Sequence, residues 1–71
     1  MNANKQAANN IKKQRKLLRH EPKQMAAWTG IKMPRYYAIE RGDAEISINE
    51  LTAIAKSLET TAALLLGGSD A

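Results

Sequence analysis

Residues 22–42 read PKQMAAWTGIKMPRYYAIERG, and the punctuation of this stretch decides the architecture. Pro22 and Pro34 each fix a helical φ and lack an N–H, which suits the first turn of a helix. Pro34 also biases Met33 away from the α region. Gly30 and Gly42 stand where a chain can leave a helix through the left-handed region. The stretch therefore predicts two short helices joined by a tight turn. One opens at Pro22, after the Glu21 carboxylate, and ends at Thr29-Gly30; the next runs from Pro34 and stops at Gly42. On a wheel of the latter, Tyr36, Ile39 and Glu40 share one face, and Pro34, Tyr37, Ala38 and Arg41 share the opposite one. One face packs and the other presents, so Tyr36 is expected in the core and Tyr37 at the surface.

Working outward, a first helix is expected from about Asn4 to Arg19, with Ala7, Ile11 and Leu18 inward, lysines opposite, and Arg19 and His20 at the negative end of its dipole. Glu40 on the packed face of its helix needs a partner unless it is solvated, and Arg15, beside Ile11 and Leu18, is the natural one. Ser47-Ile48-Asn49-Glu50 is a capping box opening a helix with the stripe Leu51, Ile54, Ala55 and Leu58. Thr60 or Thr61 can cap a last short helix reaching Leu66, and residues 67–71 should fray. Only Glu45-Ile46-Ser47-Ile48 alternates like a strand, too briefly to matter. The expected class is all-α, in one domain over residues 1–71 whose core covers about 11–66.

Composition narrows the function. The 71 residues include no cysteine and one histidine, which excludes a disulfide framework, a thiolate zinc site and a cysteine nucleophile, and makes an enzyme, a metal or another cofactor an unpromising reading. The longest apolar run, residues 62–66, is far below the roughly 20 residues of a membrane helix, and the N-terminus lacks a signal-peptide stretch. A soluble, cytoplasmic protein without a membrane partner is expected. His20 reads as a solvated helix-end residue, and Trp28, on the Met25 and Thr29 side of its helix, as partial core packing.

Charge is distributed unevenly. Residues 1–41 hold ten of the eleven Lys and Arg residues against Glu21 and Glu40, a net of +8; from residue 42 onward Lys56 faces Asp43, Glu45, Glu50, Glu59 and Asp70, a net of −4. Such polarity suits a polyanion on one side of the molecule, although lysines also decorate solvated helix faces.

Several segments together carry a family resemblance: Gly30-Ile31, then Ile39-Glu40-Arg41-Gly42, then Ile48 and Leu51, then Ile54-Ala55-Lys56-Ser57-Leu58. From Ile11 to Leu66 the chain resembles the Cro/CI-type helix-turn-helix proteins, the XRE-like repressors. The resemblance implies a compact, five-helix, lambda-repressor-like domain that docks its third helix in the major groove of double-stranded DNA. It also implies that Arg15 of the first helix pairs with Glu40. Departures from the family pattern bear on mechanism. Relatives usually open the second helix with Thr-Gln, whose Gln touches a phosphate; here Glu21-Pro22 stands there, leaving Lys23 and Gln24 for that contact. The usual polar opening of the third helix is replaced by Lys32-Met33-Pro34-Arg35. Hydrogen bonding to DNA then falls to Lys32, Arg35 and Tyr37, with Arg35 reaching either a base edge or a phosphate. Met33, Pro34 and Ala38 are left for thymine methyls or sugar edges, and Arg41 completes the presented face. The loop Asp43-Ala44-Glu45, often basic in relatives, would repel a phosphate.

The function expected is that of a sequence-specific DNA-binding transcriptional regulator, a repressor of bacterial or phage type, with no small-molecule ligand. The alternative is a protein-interaction module, antitoxin or antirepressor-like, that keeps the fold with weakened DNA binding. Leu64, Leu65 and Leu66 are consecutive, and helical neighbours point about 100° apart, so one stripe cannot hide all three. By the family pattern Leu65 and Leu66 lie inward, which nominates Leu64, with Ala63, for the contact of a homodimer on an inverted-repeat operator.

Overall fold

Ala7, Ala8, Ile11 and Arg15 recur on one side of a helical wheel, and all four are buried. The computed structural model describes residues 3–67 and forms this helix, α1, over Ala3–Leu17. It is followed by α2 (Pro22–Thr29), α3 (Met33–Arg41), α4 (Ile48–Ser57) and α5 (Ala62–Leu65), with no strand among the described residues. Helix α1 packs across α3 and α5, α2 packs on α3 and α4, and α4 closes on α5. Ile11, Met25, Tyr36, Ile39, Ile54 and Leu58 meet in the centre and are fully buried. An aliphatic side chain hidden this way contributes about 1.5–3 kcal/mol, so few contacts hold a chain this short. The polar side of α1 is used too: Asn10 Nδ2 donates to Leu65 O (2.8 Å) and Gln14 Nε2 to Leu58 O (3.3 Å), satisfying carbonyls at the ends of α5 and α4.

The helix starts follow the caps. At α4, Glu50 N donates to Ser47 Oγ (3.1 Å) and Ser47 N to Glu50 Oε1 (3.0 Å), the reciprocal pair that the Ser-x-x-Glu spacing predicts. Thr61, not Thr60, caps α5 by accepting from Leu64 N at 3.2 Å. Helix α3 begins one residue before Pro34. Tyr36 N donates to Lys32 O at 2.8 Å, so its first turn encloses Met33, Pro34 and Arg35 and asks no N–H of the proline.

Three helices leave by one geometry. After α1, His20 N donates to Arg15 O and Arg19 N to Lys16 O; after α3, Asp43 N donates to Ala38 O and Gly42 N to Ile39 O; after α4, Thr60 N donates to Ala55 O and Glu59 N to Lys56 O. Each is a Schellman exit, which needs a left-handed residue. Gly42 supplies it at φ 80°, but Arg19 (φ 60°) and Glu59 (φ 56°) hold it with full side chains. The first exit ends α1 at Leu17, two residues before the Arg19 expected from periodicity. Gly42 has a second constraint: a Cβ there would lie 3.1 Å from Lys5 Cγ, because α1 crosses the end of α3.

Two apolar expectations are corrected. Leu66 is not inward but 49% exposed. Leu65 takes the buried position, its neighbours turn about 100° to either side, and only Leu64 is covered, half-buried beside Asn10 and Gln14 of α1. Trp28 is 54% exposed and takes no place in the core; its indole stands edge-on to the His20 ring at 4.8 Å between centroids, where the α1–α2 turn brings them together. His20 is correspondingly half-buried, not fully solvated.

Candidate nucleic-acid interface

Helix α3 is fixed from its inner side. Arg15 Nε donates to Glu40 Oε2 (2.9 Å) and Arg15 Nη2 to Glu40 Oε1 (2.7 Å), a bidentate pair whose side chains are only 11% and 7% exposed. Arg15 Nη1 also donates to His20 O (2.9 Å), so one guanidinium ties α1, the α1–α2 turn and α3 together. The hydrogen bonds that Arg15 donates to Glu40 outweigh burial and hold the Arg15 pKa above its ordinary value. Tyr36 closes the site from the core. Its hydroxyl, beside the Arg15–Glu40 pair, reaches no partner at hydrogen-bond geometry among the described residues, and burial, reinforced by the neighbouring Glu40 carboxylate, pushes its pKa well above the usual phenol range.

The outer side of α3 faces solvent. Pro34, Tyr37 and Arg41 are exposed, Tyr37 to 43%, and Ala38 is half-buried between them. Lys32, the N-cap residue, is exposed at the end of the helix. The face is therefore a phenol hydroxyl and an ammonium group around a small apolar centre, shaped to reach base edges with two polar groups and to lie close to a methyl or sugar with the rest.

Three residues expected on this face are occupied elsewhere. Met33 is half-buried and packed against the core, which leaves only part of it on the presented surface. Arg35 turns toward α4: Nε and Nη2 donate to Glu50 Oε2 and Oε1, both at 2.9 Å, and Nη2 also donates to Glu45 O at 2.6 Å. Arg35 in turn holds Glu50 well below the usual carboxylate range, at about 2, helped by the Ser47 backbone N–H. Arg41 Nε donates to Asp43 Oδ2 at 2.9 Å in an open pair, both side chains more than half exposed, and this contact lowers the Asp43 pKa. Glu50 of α4 and Asp43 of the acidic loop thus neutralise two of the arginines of α3. Arg41–Asp43 is legible in the sequence as neighbours across the Gly42 exit; Arg35–Glu50 is not, because nothing local relates residues fifteen positions apart.

At the start of α2, Lys23 and Gln24 are both exposed. Gln24 Oε1 accepts from Glu21 N at 2.9 Å, so its carbonyl serves the helix start and its amide NH2 is left as a donor. Ala63 is exposed on α5 and far along the chain from this surface.

A short turn between α2 and α3, with α3 locked inside by Arg15–Glu40 and open outside, is the geometry of a helix that enters a groove. Over residues 11–65 the chain matches the helix-turn-helix family of Cro/CI type. The chain belongs to that family. Its fold is therefore lambda-repressor-like, with α2 and α3 as the helix-turn-helix, and it is a DNA-binding regulator of a kind that is generally non-enzymatic. Comparison with curated proteins and with solved structures gives no significant match. Among the described residues no helix is long and apolar enough to cross a membrane.

Proposed function

We propose that this helix-turn-helix protein is a sequence-specific transcriptional repressor of bacterial or phage type, acting in the cytoplasm by occupying an inverted-repeat operator as a homodimer. The observation that carries the reading is the two-sided α3: a buried carboxylate held by Arg15 within, and Lys32, Pro34 and Tyr37 open to solvent around a half-buried Ala38 without. Tyr37 and Lys32 read base edges, Pro34 and Ala38 allow close approach, and Lys23 and Gln24 hold a phosphate at the start of α2. Arg35 and Arg41 contribute once they exchange their carboxylates for phosphate, Arg35 at the flank and Arg41 beside Tyr37. Dimerisation runs through Ala63 and Leu64, to which the exposed Leu66 now adds apolar area. A two-fold pair sets its reading helices in successive major grooves about 34 Å apart. The regulator takes no cofactor or small-molecule ligand.

Selection of bound sites from random duplexes tests this. A palindromic consensus with half-sites one helical turn apart is the expected result, with affinity falling by a slope of about −0.9 in log K against log salt for each phosphate engaged. Recovery of no consensus, or binding indifferent to salt, refutes it. A second reading, a protein-interaction module, is favoured by the carboxylates that engage Arg35 and Arg41 and by the exposed Trp28. It predicts no recoverable operator and capture of a protein partner lost on Trp28→Ala.

A further inference from the structure

The lysines of α1 play no part in the interface just described. Lys5, Lys12, Lys13 and Lys16, with Asn9 and Asn10, line an open groove of about 580 Å³ along this helix. At 100° per residue, the four lysines and Asn9 fall within an arc of about 100° whose centre lies about 150° around the helix from Ile11, the residue of α1 buried deepest in the core. None of the ion pairs among the described residues uses a lysine, and no acidic residue precedes Glu21; Asp43, near Lys5, carries an opposing charge at one end of the stripe.

Direction decides what this stripe can meet. Arg15 and Glu40 join the inner face of α1 to the inner face of α3, so Lys12, Lys13 and Lys16 and the presented face of α3 look out of opposite sides of the molecule, while Lys5 lies beside Gly42 at the end of α3. Packed helices have axes 8–10 Å apart and side chains reaching 5–6 Å further on each side, so the outer faces are separated by about 20 Å of protein. A straight duplex seated on α3 cannot touch the far side of α1. The residues that line the groove are lysines and amides, whose methylene stems supply its apolar surface, with no aromatic or branched aliphatic side chain of the kind that anchors protein partners. Ammonium and amide donors spread over about 16 Å of helix, from Lys5 to Lys16, match a run of backbone phosphates.

We infer that the outer face of α1 is a second, sequence-independent DNA site, which engages the phosphates of another duplex segment while α3 holds the first, so that the protein bridges DNA. The inference rests on α3 being the first DNA face, and the experiment separates the two. Wild-type protein is mixed at 50 mM salt with a bead-bound 30-bp mixed-sequence duplex and a fluorescent one, and capture of the second is measured beside single-duplex affinity by anisotropy. Wild type captures the fluorescent duplex. Lys12→Gln/Lys13→Gln/Lys16→Gln, checked for its helical circular dichroism, keeps single-duplex affinity within about twofold and loses capture by about tenfold or more; Lys5→Gln gives a smaller loss in the same direction. Three phosphate contacts give a slope near −2.7, so raising salt to 200 mM weakens second-duplex binding about 40-fold.

Wild type that binds one duplex and never captures another overturns the inference and leaves the α3 reading intact; binding no duplex at all overturns both. A triple variant that still bridges shows that paired α3 helices do so. One that loses single-duplex affinity, with a salt slope reduced by about three, puts the lysines on the first duplex. Binding of poly-glutamate, lost in the triple variant and unaccompanied by second-duplex capture, assigns the groove to an acidic protein. Each of these three outcomes overturns the inference.

Discussion

Glu40→Ala removes the acceptor of two short hydrogen bonds and leaves the Arg15 guanidinium, 11% exposed, with only His20 O as a partner. Breaking a buried ion pair from one side costs about 3–5 kcal/mol, because the remaining charge keeps its desolvation penalty. At about 0.05–0.15 kcal/mol per residue, a chain of this length has roughly 4–11 kcal/mol to lose. In a domain of this size each kcal/mol moves the midpoint of thermal unfolding by about 4–8 °C, so the variant should melt at least about 12 °C lower and be largely unfolded if the wild type lies at the low end of that range. Calorimetry or circular dichroism melts of Glu40→Ala, Arg15→Met and Arg15→Met/Glu40→Leu give the comparison. The apolar double variant should recover most of the stability, since replacing both charges removes the stranded one. A midpoint within about 4 °C of wild type for Glu40→Ala, or a double variant no better than the worse single, would show that the pair does not hold α1 to α3.

Tyr36→Phe should be neutral or raise the melting midpoint, because it removes a buried hydroxyl without a partner; a loss above about 1 kcal/mol means the hydroxyl is bonded after all. Arg19→Gly and Glu59→Gly each relieve a left-handed residue and should stabilise by about 0.5–1 kcal/mol, additively, in chemical denaturation. Glu50→Gln should flatten the acid limb of the stability profile. The folded pKa of Glu50 is depressed to about 2, so its contribution is complete above the unfolded value near 4.5 and is lost as pH falls from there through 2, a loss the amide cannot undergo. Tyr37→Ala should leave the fold intact and relax sequence preference in site selection; an unchanged consensus removes Tyr37 from the readers.

The fold was legible wherever a residue acts on its own neighbours. Pro22, the Gly30 and Gly42 exits and the Ser47–Glu50 box mark helix ends through local sterics and hydrogen bonds, and the stripe Leu51, Ile54, Ala55 and Leu58 follows from period alone. Arg15 and Glu40 fall on the inward arcs of two periodic helices, which the same arithmetic makes visible. What escaped depends on how elements meet. Trp28 is apolar and on a plausible arc, but the α1–α2 turn sets it against His20 and not under another helix. Leu66 lies outward because α1 and α4 pack on the other side of α5 and none of the described helices covers this one. Arg35 meets Glu50 only because α3 and α4 come together, and the carboxylate serves both, Oε1 accepting from Ser47 N as well as from the guanidinium.

Arg15 also decides how the chain opens. Its guanidinium bonds α3 through Glu40 and the α1–α2 turn through His20 O, so α1, α2 and α3 cannot loosen one at a time, while α5, a single turn, can. Amide exchange in α1 and α3 should then report the same, global free energy. A duplex held by α3 alone protects the backbone of α1 as well, and at a hundredfold excess over its dissociation constant adds about 2.7 kcal/mol against unfolding of the whole unit. Where proteolysis proceeds through the open state, about a hundredfold of protection separates a molecule seated on DNA from one adrift. Where degradation takes that route, occupancy of DNA would set the lifetime of the protein, and copies off DNA would be destroyed first.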